Sequence, residues 1–210
     1  MTSRFLQTVD GFYLRPEKVR RRALAMTYSE PDGLVGRRTQ AYQPGGIKEL
    51  IEKKFRIRIG YWEDDVMAIE ASNGVFFSAF ARGRMAETVG VHYDDPPNWM
   101  MLLVYLAPRA PYNAGTSLWQ HRETGLISNP TKQDAKRLGI RIEKLEAMLE
   151  RDSKKPGCWI EIDRIGNVYN RAVLFPSGLL HSATKHFGSN QQNGRLYQSF
   201  HFSLRQRDKR

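Results

Sequence analysis

Trp99-Met100-Met101-Leu102-Leu103-Val104-Tyr105-Leu106 is an unbroken apolar run of strand length. Its Leu, Val and Tyr content reads as a central strand, one with neighbours on both edges. Just upstream, Val91-His92-Tyr93-Asp94-Asp95 runs into Pro96-Pro97, which forces the chain out of any ladder. Just downstream, residues 108–115 form a loop rich in Pro, Asn and Gly, and Thr116-Ser117-Leu118-Trp119-Gln120-His121 resumes as a strand. Three more strands read at Trp159-Ile160-Glu161-Ile162, at Arg171-Ala172-Val173-Leu174-Phe175 and over 195–204.

The opening third is mixed. Arg15-Pro16-Glu17 starts a helix, with Pro at its first position and an acid near the positive end of the dipole. Val19, Ala23 and Met26 fall on one face, and Pro31-Asp32-Gly33 stops it. After Pro44-Gly45-Gly46, helical spacing returns at Ile47, Leu50, Ile51 and Phe55. From Tyr61 the period shortens to two. Val66-Met67-Ala68-Ile69 and Val75-Phe76-Phe77 flank Ser72-Asn73-Gly74, a strong short hairpin signal. One helix interrupts the later strands over about 131–151: Thr131 and Asp134 form a near capping box, and Leu138, Ile142, Leu145 and Leu149 make one stripe that ends at Lys155-Pro156-Gly157. The predicted organisation is one domain over 1–210. Residues 1–60 give helix and strand support, 61–204 a β-rich body, and 205–210 a basic tail. A mostly β body with flanking helices is a sandwich or an open barrel.

The bulk numbers narrow the class. At 40% hydrophobic and 26% charged, 210 residues suit an ordinary globular chain that buries its own core. A single cysteine, Cys158, excludes an internal disulfide framework and a thiolate zinc cluster, so a reducing cytoplasm is the expectation. No run of about 18 apolar residues exists, and Met1-Thr2-Ser3-Arg4-Phe5 lacks the apolar core of a signal peptide. Net charge is +11, yet the basic residues are scattered as Arg20-Arg21-Arg22, Arg37-Arg38, Lys53-Lys54 and the tail. Charge on this pattern favours an anionic small molecule, an acidic peptide or simple solubility over nucleic acid.

Candidate ligands lie on either side of the apolar run. Residues i and i+2 of a strand point the same way, so His92 and Asp94 converge above one face while Asp95, the alternative carboxylate, points away. Inward polar groups are costly unless paired or coordinated. His181 follows the turn Phe175-Pro176-Ser177-Gly178, again at the mouth of a sheet. Two imidazoles and a carboxylate cover one face of Fe(II) and leave the other open. On the last strand Arg195, Tyr197 and Ser199 share a face, with Leu196, Phe200 and Phe202 opposite. The apolar side is expected under the N-terminal helices. The polar side is expected to face a pocket, where Arg195 can fork onto a carboxylate.

His92-Tyr93-Asp94, the run ending Val104-Tyr105-Leu106, Gly115-Thr116, Val173-Leu174-Phe175-Pro176, His181 and Arg195 occur in the order of the Fe(II)/2-oxoglutarate-dependent dioxygenases. The pattern is most similar to their prolyl-4-hydroxylase-like branch and covers roughly residues 88–204. Residues 12–16 also resemble the N-terminal region of such enzymes. The resemblance implies a double-stranded β-helix (jelly roll, cupin-like) that binds Fe(II) through His92, Asp94 and His181. It also implies that Arg195 pairs with the far carboxylate of the 2-oxoglutarate cosubstrate. Tyr105 is either a core tyrosine or a further hydrogen bond to that carboxylate. Two departures stand out: Arg195 lies 14 positions beyond His181, a long spacing, and a single Gly115 stands where two glycines are common.

The implied reaction consumes O2 and 2-oxoglutarate and hydroxylates a C–H bond, in a free amino acid or in a residue of a small peptide or natural-product precursor. Arg37, Arg38, Tyr42, Trp119, His121 and Arg171 are the candidates to line the entrance, and the basic balance favours an anionic substrate. A nucleic-acid demethylase of the same superfamily is the alternative, but it carries a second Arg six positions after the first, where this chain has His201. A non-catalytic cupin-like binding module is the other alternative. Halogenation needs the carboxylate ligand replaced by a small residue, and Asp94 is present.

Overall fold

A computed structural model describes residues 6–30, 37–66, 73–84 and 86–205. The helix stop at Pro31-Asp32-Gly33, most of the apolar run before Asn73, Met1-Thr2-Ser3-Arg4-Phe5 and the tail beyond Arg205 lie outside the described residues.

Strand β1 (Gln7–Val9) leads into helix α1 (Pro16–Ala25), which has Pro16 in its first turn, Glu17 beside it and Arg22 in its last. Strand β2 (Arg37–Ala41) precedes helix α2 (Ile47–Phe55), whose buried Ile47, Ile51 and Phe55 repeat at four-residue spacing. The β body follows as β3 (Val75–Ala79), β4 (Met100–Tyr105) and β5 (Thr116–His121). After the inserted helices come β6 (Trp159–Ile165), β7 (Ala172–Pro176), β8 (His181–Ala183) and β9 (Arg195–Phe202). All ladders are antiparallel and form two sheets, a larger one in the order β1-β7-β4-β9-β3-β2 and a smaller one in the order β6-β5-β8. The apolar run thus lies inside the larger sheet, between β7 and β9.

Alternation along these strands builds two cores. Leu102, Val104, Leu174, Leu196, Phe200 and Phe202 face outward onto Val19, Ala23, Ile47, Ile51 and Phe55 of the helices. Leu103, Tyr105, Val173, Phe175 and Tyr197 face inward onto Leu118, Ile165 and Leu179 of the smaller sheet region. Phe200 is fully buried and stacks on Trp62 at 5.9 Å. Phe200→Ala is expected to destabilise the fold by about 3–5 kcal/mol in a denaturant titration, and a loss under about 1 kcal/mol would contradict this packing.

Two expectations are corrected. The single inserted helix is two, α3 (Lys132–Leu138) and α4 (Ile142–Asp152). The Thr131–Asp134 capping box does open α3, but Gly139 takes the left-handed region at φ 68° and its N–H caps the carbonyls of Ala135 and Lys136. The apolar stripe continues across this break because α4 packs beside α3. The Asn73-Gly74 hairpin is corrected too, since both edges of β3 are occupied, by β2 and by β9. Gly74 is instead a pinch point: at φ 99° a Cβ would meet the Tyr42 carbonyl oxygen at 2.6 Å. Residues 61–65, read as alternating, form no ladder. No helix among the described residues is long and apolar enough to cross a membrane.

Candidate metal centre

The segment before β4 and the start of β8 meet at the rim of the two sheets. His92 and His181 form an isolated antiparallel bridge, each N–H donating to the other's carbonyl at 3.0 and 2.8 Å. Asp94 N–H donates to the Ser177 carbonyl at 2.9 Å, which anchors the segment one step further on. Backbone pairing thus delivers three side chains to one point. One ligand atom from each of His92, Asp94 and His181 lies within 4.8 Å of the others. His92 Nε2 is 3.8 Å from Asp94 Oδ1, and His181 Nε2 is 3.3 Å from Asp94 Oδ2.

The imidazoles are oriented by their far nitrogens. His92 Nδ1 lies 3.1 Å from the Gly90 carbonyl and His181 Nδ1 lies 2.8 Å from the Leu179 carbonyl. A carbonyl only accepts, so each Nδ1 carries a proton and each Nε2 is the atom left facing Asp94, able to bind a metal once it is deprotonated. Phe175 packs edge-on against the His181 ring at 4.8 Å. Burial opposes ionisation of Asp94, but His181, His92 and, further off, His201 outweigh it and hold the carboxyl at about 2. Burial pushes His92 down, helped by the neighbouring His181. For His181 burial also pulls down, yet Asp94 more than offsets it and the net shift is upward. The donor set is two neutral-capable imidazoles and an ionised carboxylate, exposed on the His92 side and buried on the His181 side. That is a set a divalent metal fits.

Below this point, β9 carries Arg195 on the inner face. Arg195 is 3% exposed; its Nη1 donates to the carbonyls of Ala114 and Gly115 at 2.6 and 2.8 Å. Its guanidinium lies over the rings of Tyr105 at 5.3 Å and Tyr197 at 5.1 Å. Tyr105 Oη and Thr116 Oγ1 share a hydrogen bond at 2.7 Å, and Thr116 Oγ1 also accepts from Arg195 Nη2 at 3.4 Å. The single Gly115 is required by close approach, since a Cβ there would lie 1.8 Å from the Ile165 carbonyl oxygen. Burial raises Tyr105, with Arg195 pulling the other way.

The remaining candidates divide. Arg38 lies on the inner side, 4.8 Å over Phe77. Arg37 is near the surface, 3.5 Å from Glu30 and over Phe80 at 5.9 Å. Trp119 and His121 do share a face, but it is the outer face of β5, under α3 and α4. Trp119 Nε1 donates to Ser182 Oγ at 2.9 Å. His121 is fully buried against Trp159, with Nδ1 3.0 Å from Thr124 Oγ1 and Nε2 3.5 Å from Asp152 Oδ2. Arg171 forks onto Asp10 at 2.6 and 2.9 Å and fastens the chain before α1 to β7. These three are therefore not gathered at the metal centre.

His201 entered above only as the residue standing where a demethylase carries its second Arg. It sits on the Arg195 face of β9, 7% exposed, against Trp99 at 5.1 Å, with its Nε2 buried and no hydrogen-bond partner among the described residues. The same alternation that grouped Arg195, Tyr197 and Ser199 reaches it at the next step. Asn73 entered only as part of a turn: its Oδ1 accepts from the His201 backbone N–H at 3.1 Å.

The chain belongs to the family of unknown function DUF6445, which matches residues 2–202. No curated protein sequence matches it. Among solved structures, the non-heme alpha ketoglutarate dependent epimerase SnoN from nogalamycin biosynthesis is similar at a TM-score of 0.51 and 14% identity, over 95% of this chain and 79% of that one. HygX from Streptomyces hygroscopicus, in a crystal structure with nickel and 2-oxoglutarate bound, is similar at a TM-score of 0.49 and 8% identity, over 96% and 83%. The likeness to SnoN identifies the two antiparallel sheets as the double-stranded β-helix, or jelly roll, expected from the motif order.

Proposed function

We propose that this DUF6445 chain is an Fe(II)- and 2-oxoglutarate-dependent oxygenase. Its prime substrate in this reading is a free amino acid, or an amino-acid residue in a small peptide or natural-product precursor, hydroxylated at a C–H bond. The observation that carries the proposal is the convergence of His92, Asp94 and His181, with both Nδ1 atoms engaged by backbone carbonyls. Iron with 2-oxoglutarate and dioxygen supplies the oxidising power: 2-oxoglutarate, O2 and R–H become succinate, CO2 and R–OH.

The residues of the chain have separable tasks. His92, Asp94 and His181 would hold the metal, each through one side-chain donor. Arg195 neutralises the far carboxylate of 2-oxoglutarate, held in place by the two tyrosine rings and the carbonyls of Ala114 and Gly115. Tyr105 and Thr116 supply hydroxyls beside it. Leu103, Leu118, Val173 and Phe175 pack as an apolar core beside Tyr105, which keeps water from these polar contacts and strengthens each of them.

The test is reconstitution with Fe(II) without oxygen, followed by exposure to O2 and 2-oxoglutarate with pooled amino acids and short peptides. Iron-dependent succinate release, raised by at least one pool and abolished by a chelator, is the expected result. A protein that binds Fe(II) and 2-oxoglutarate but releases succinate no faster than free iron would refute the reading.

A further inference from the structure

His92 and Asp94 lie outside the strands, on a segment whose bridge at His92 is isolated. A few discrete contacts therefore aim these ligands, and an extended backbone divides them by edge. His92 turns its N–H and its carbonyl to His181. Val91 turns both of its groups the other way, to Ser153 just past the end of α4. Val91 N–H donates to the Ser153 carbonyl at 2.9 Å, and Ser153 Oγ donates to the Val91 carbonyl at 2.8 Å. The side chains divide by face. Val91 and Tyr93 pack into the apolar cluster of Leu145, Leu149 and Trp159, while His92 and Asp94 meet His181 at the metal centre.

Ser153 is itself held in place. Before it, Asp152 is 2% exposed and takes Arg151 and Lys155 on its carboxylate, with His121 Nε2 of β5 at 3.5 Å. The Asp152 carbonyl accepts from Trp159 Nε1 at 2.8 Å, which ties the turn to the start of β6. Gly90 shows how closely the two segments meet. A Cβ there would lie 2.8 Å from Ser153 Oγ and 3.5 Å from Lys154 Cγ. The Gly90 carbonyl is also the acceptor of His92 Nδ1. A shift of this segment against α4 thus moves both the backbone that carries the imidazole and the acceptor that orients its ring. His92 is the ligand more sensitive to such a shift. Its side chain is 53% exposed, whereas His181 is buried with Phe175 against its ring.

We propose that the inserted helices aim a metal ligand, with Ser153 as the positioning residue for His92. The proposal rests on the metal centre of the oxygenase reading above. Metal affinity is greatest when the donor atoms already stand in place. Partners that hold a ligand histidine are worth about 10- to 100-fold in affinity. Ser153 acts one step further back, through the backbone, so the lower figure applies.

The experiment titrates the full chain, free of metal, with Co(II) and reads visible absorption. It then loads Cu(II) and counts coordinated nitrogens from the hyperfine pattern in EPR. Ser153→Ala is expected to weaken Co(II) by about 10-fold. It should also shift part of the Cu(II) spectrum toward the one-imidazole pattern that His92→Ala defines. Gly90→Ala should act likewise by pushing the segments apart, and the two changes should not compound. With Oγ gone, the added methyl meets nothing closer than 3.5 Å, so the double variant binds no more weakly than Gly90→Ala. Thr131→Ala removes the cap of α3 and is the control for stability alone. It should lower the denaturation midpoint yet leave the Co(II) affinity of the folded chain within about twofold.

Unchanged affinity in Ser153→Ala, a full two-imidazole spectrum in both single variants, losses that multiply in the double variant, or an equal loss in Thr131→Ala would each overturn the proposal. A wild-type chain that does not bind Co(II) removes the metal centre and this proposal together. If Ser153→Ala weakens the metal as expected and 2-oxoglutarate is never consumed, the positioning role stands and the oxygenase reading falls.

Discussion

Asp94→Ala is expected to abolish iron-dependent 2-oxoglutarate consumption and to weaken metal binding by well over 100-fold. Losing a hydrogen-bond partner of a ligand costs about 10- to 100-fold in affinity, and losing the ligand itself removes the only charged donor of the three. The carboxylate lies 3.3 Å from His181 Nε2 and 3.8 Å from His92 Nε2, and among the described residues no second acid joins this ligand group. Asp95 follows it in sequence but is exposed, at a bend. Asp95→Ala is therefore the matched control, expected to change iron affinity less than about threefold, within the effect of one exposed charge. Metal titration monitored by quenching of intrinsic fluorescence, together with succinate release, separates the two variants. Wild-type consumption of 2-oxoglutarate by Asp94→Ala would remove the metal assignment altogether.

Asp94 was legible as the partner of His92 from the two-residue step, although the segment pairs only through an isolated bridge at His92 and is not a strand. So was the division of β9 into an apolar side of Leu196, Phe200 and Phe202 and a polar side of Arg195, Tyr197 and Ser199, which the two cores reproduce. Local patterns of this kind follow from backbone geometry within a few residues. What failed depended on partners distant in sequence. Val75-Phe76-Phe77 looked like one arm of a hairpin, yet its partners are β2 and, more than a hundred residues away, β9. His121 and Trp119 shared a face as expected, but alternation could not tell the cavity side of β5 from the side that α3 and α4 cover. Gly139 inside an unbroken apolar stripe was read as helix interior, because the stripe resumes in phase after the cap. Arg171, a candidate for the entrance, forks onto Asp10 from the other end of the chain, a pairing no local pattern announces.

Arg195→Met is expected to raise the KM for 2-oxoglutarate by about 100-fold or more, the cost of removing one partner of a desolvated, hydrogen-bonded charge pair. The variant also strands the carbonyls of Ala114 and Gly115, each of which loses its Nη1 donor, so a fall in thermal stability accompanies the change. That second effect could imitate the first, and the kinetic split tells them apart. A residue that only braced the loop before β5 would reduce the active fraction, and with it kcat, while leaving KM for 2-oxoglutarate where it was. A residue that holds the far carboxylate moves KM most, and Arg195→Lys should restore only part of the loss. The ammonium keeps the charge between Tyr105 and Tyr197, but it is a point donor on a flexible stem. It cannot bond the loop carbonyls on one edge while presenting two parallel N–H groups on the other, as the planar guanidinium does. Arg195→Lys and Arg195→Met with an unchanged KM and a proportionate loss of kcat would assign Arg195 to the architecture of the loop and leave 2-oxoglutarate without its anchoring cation.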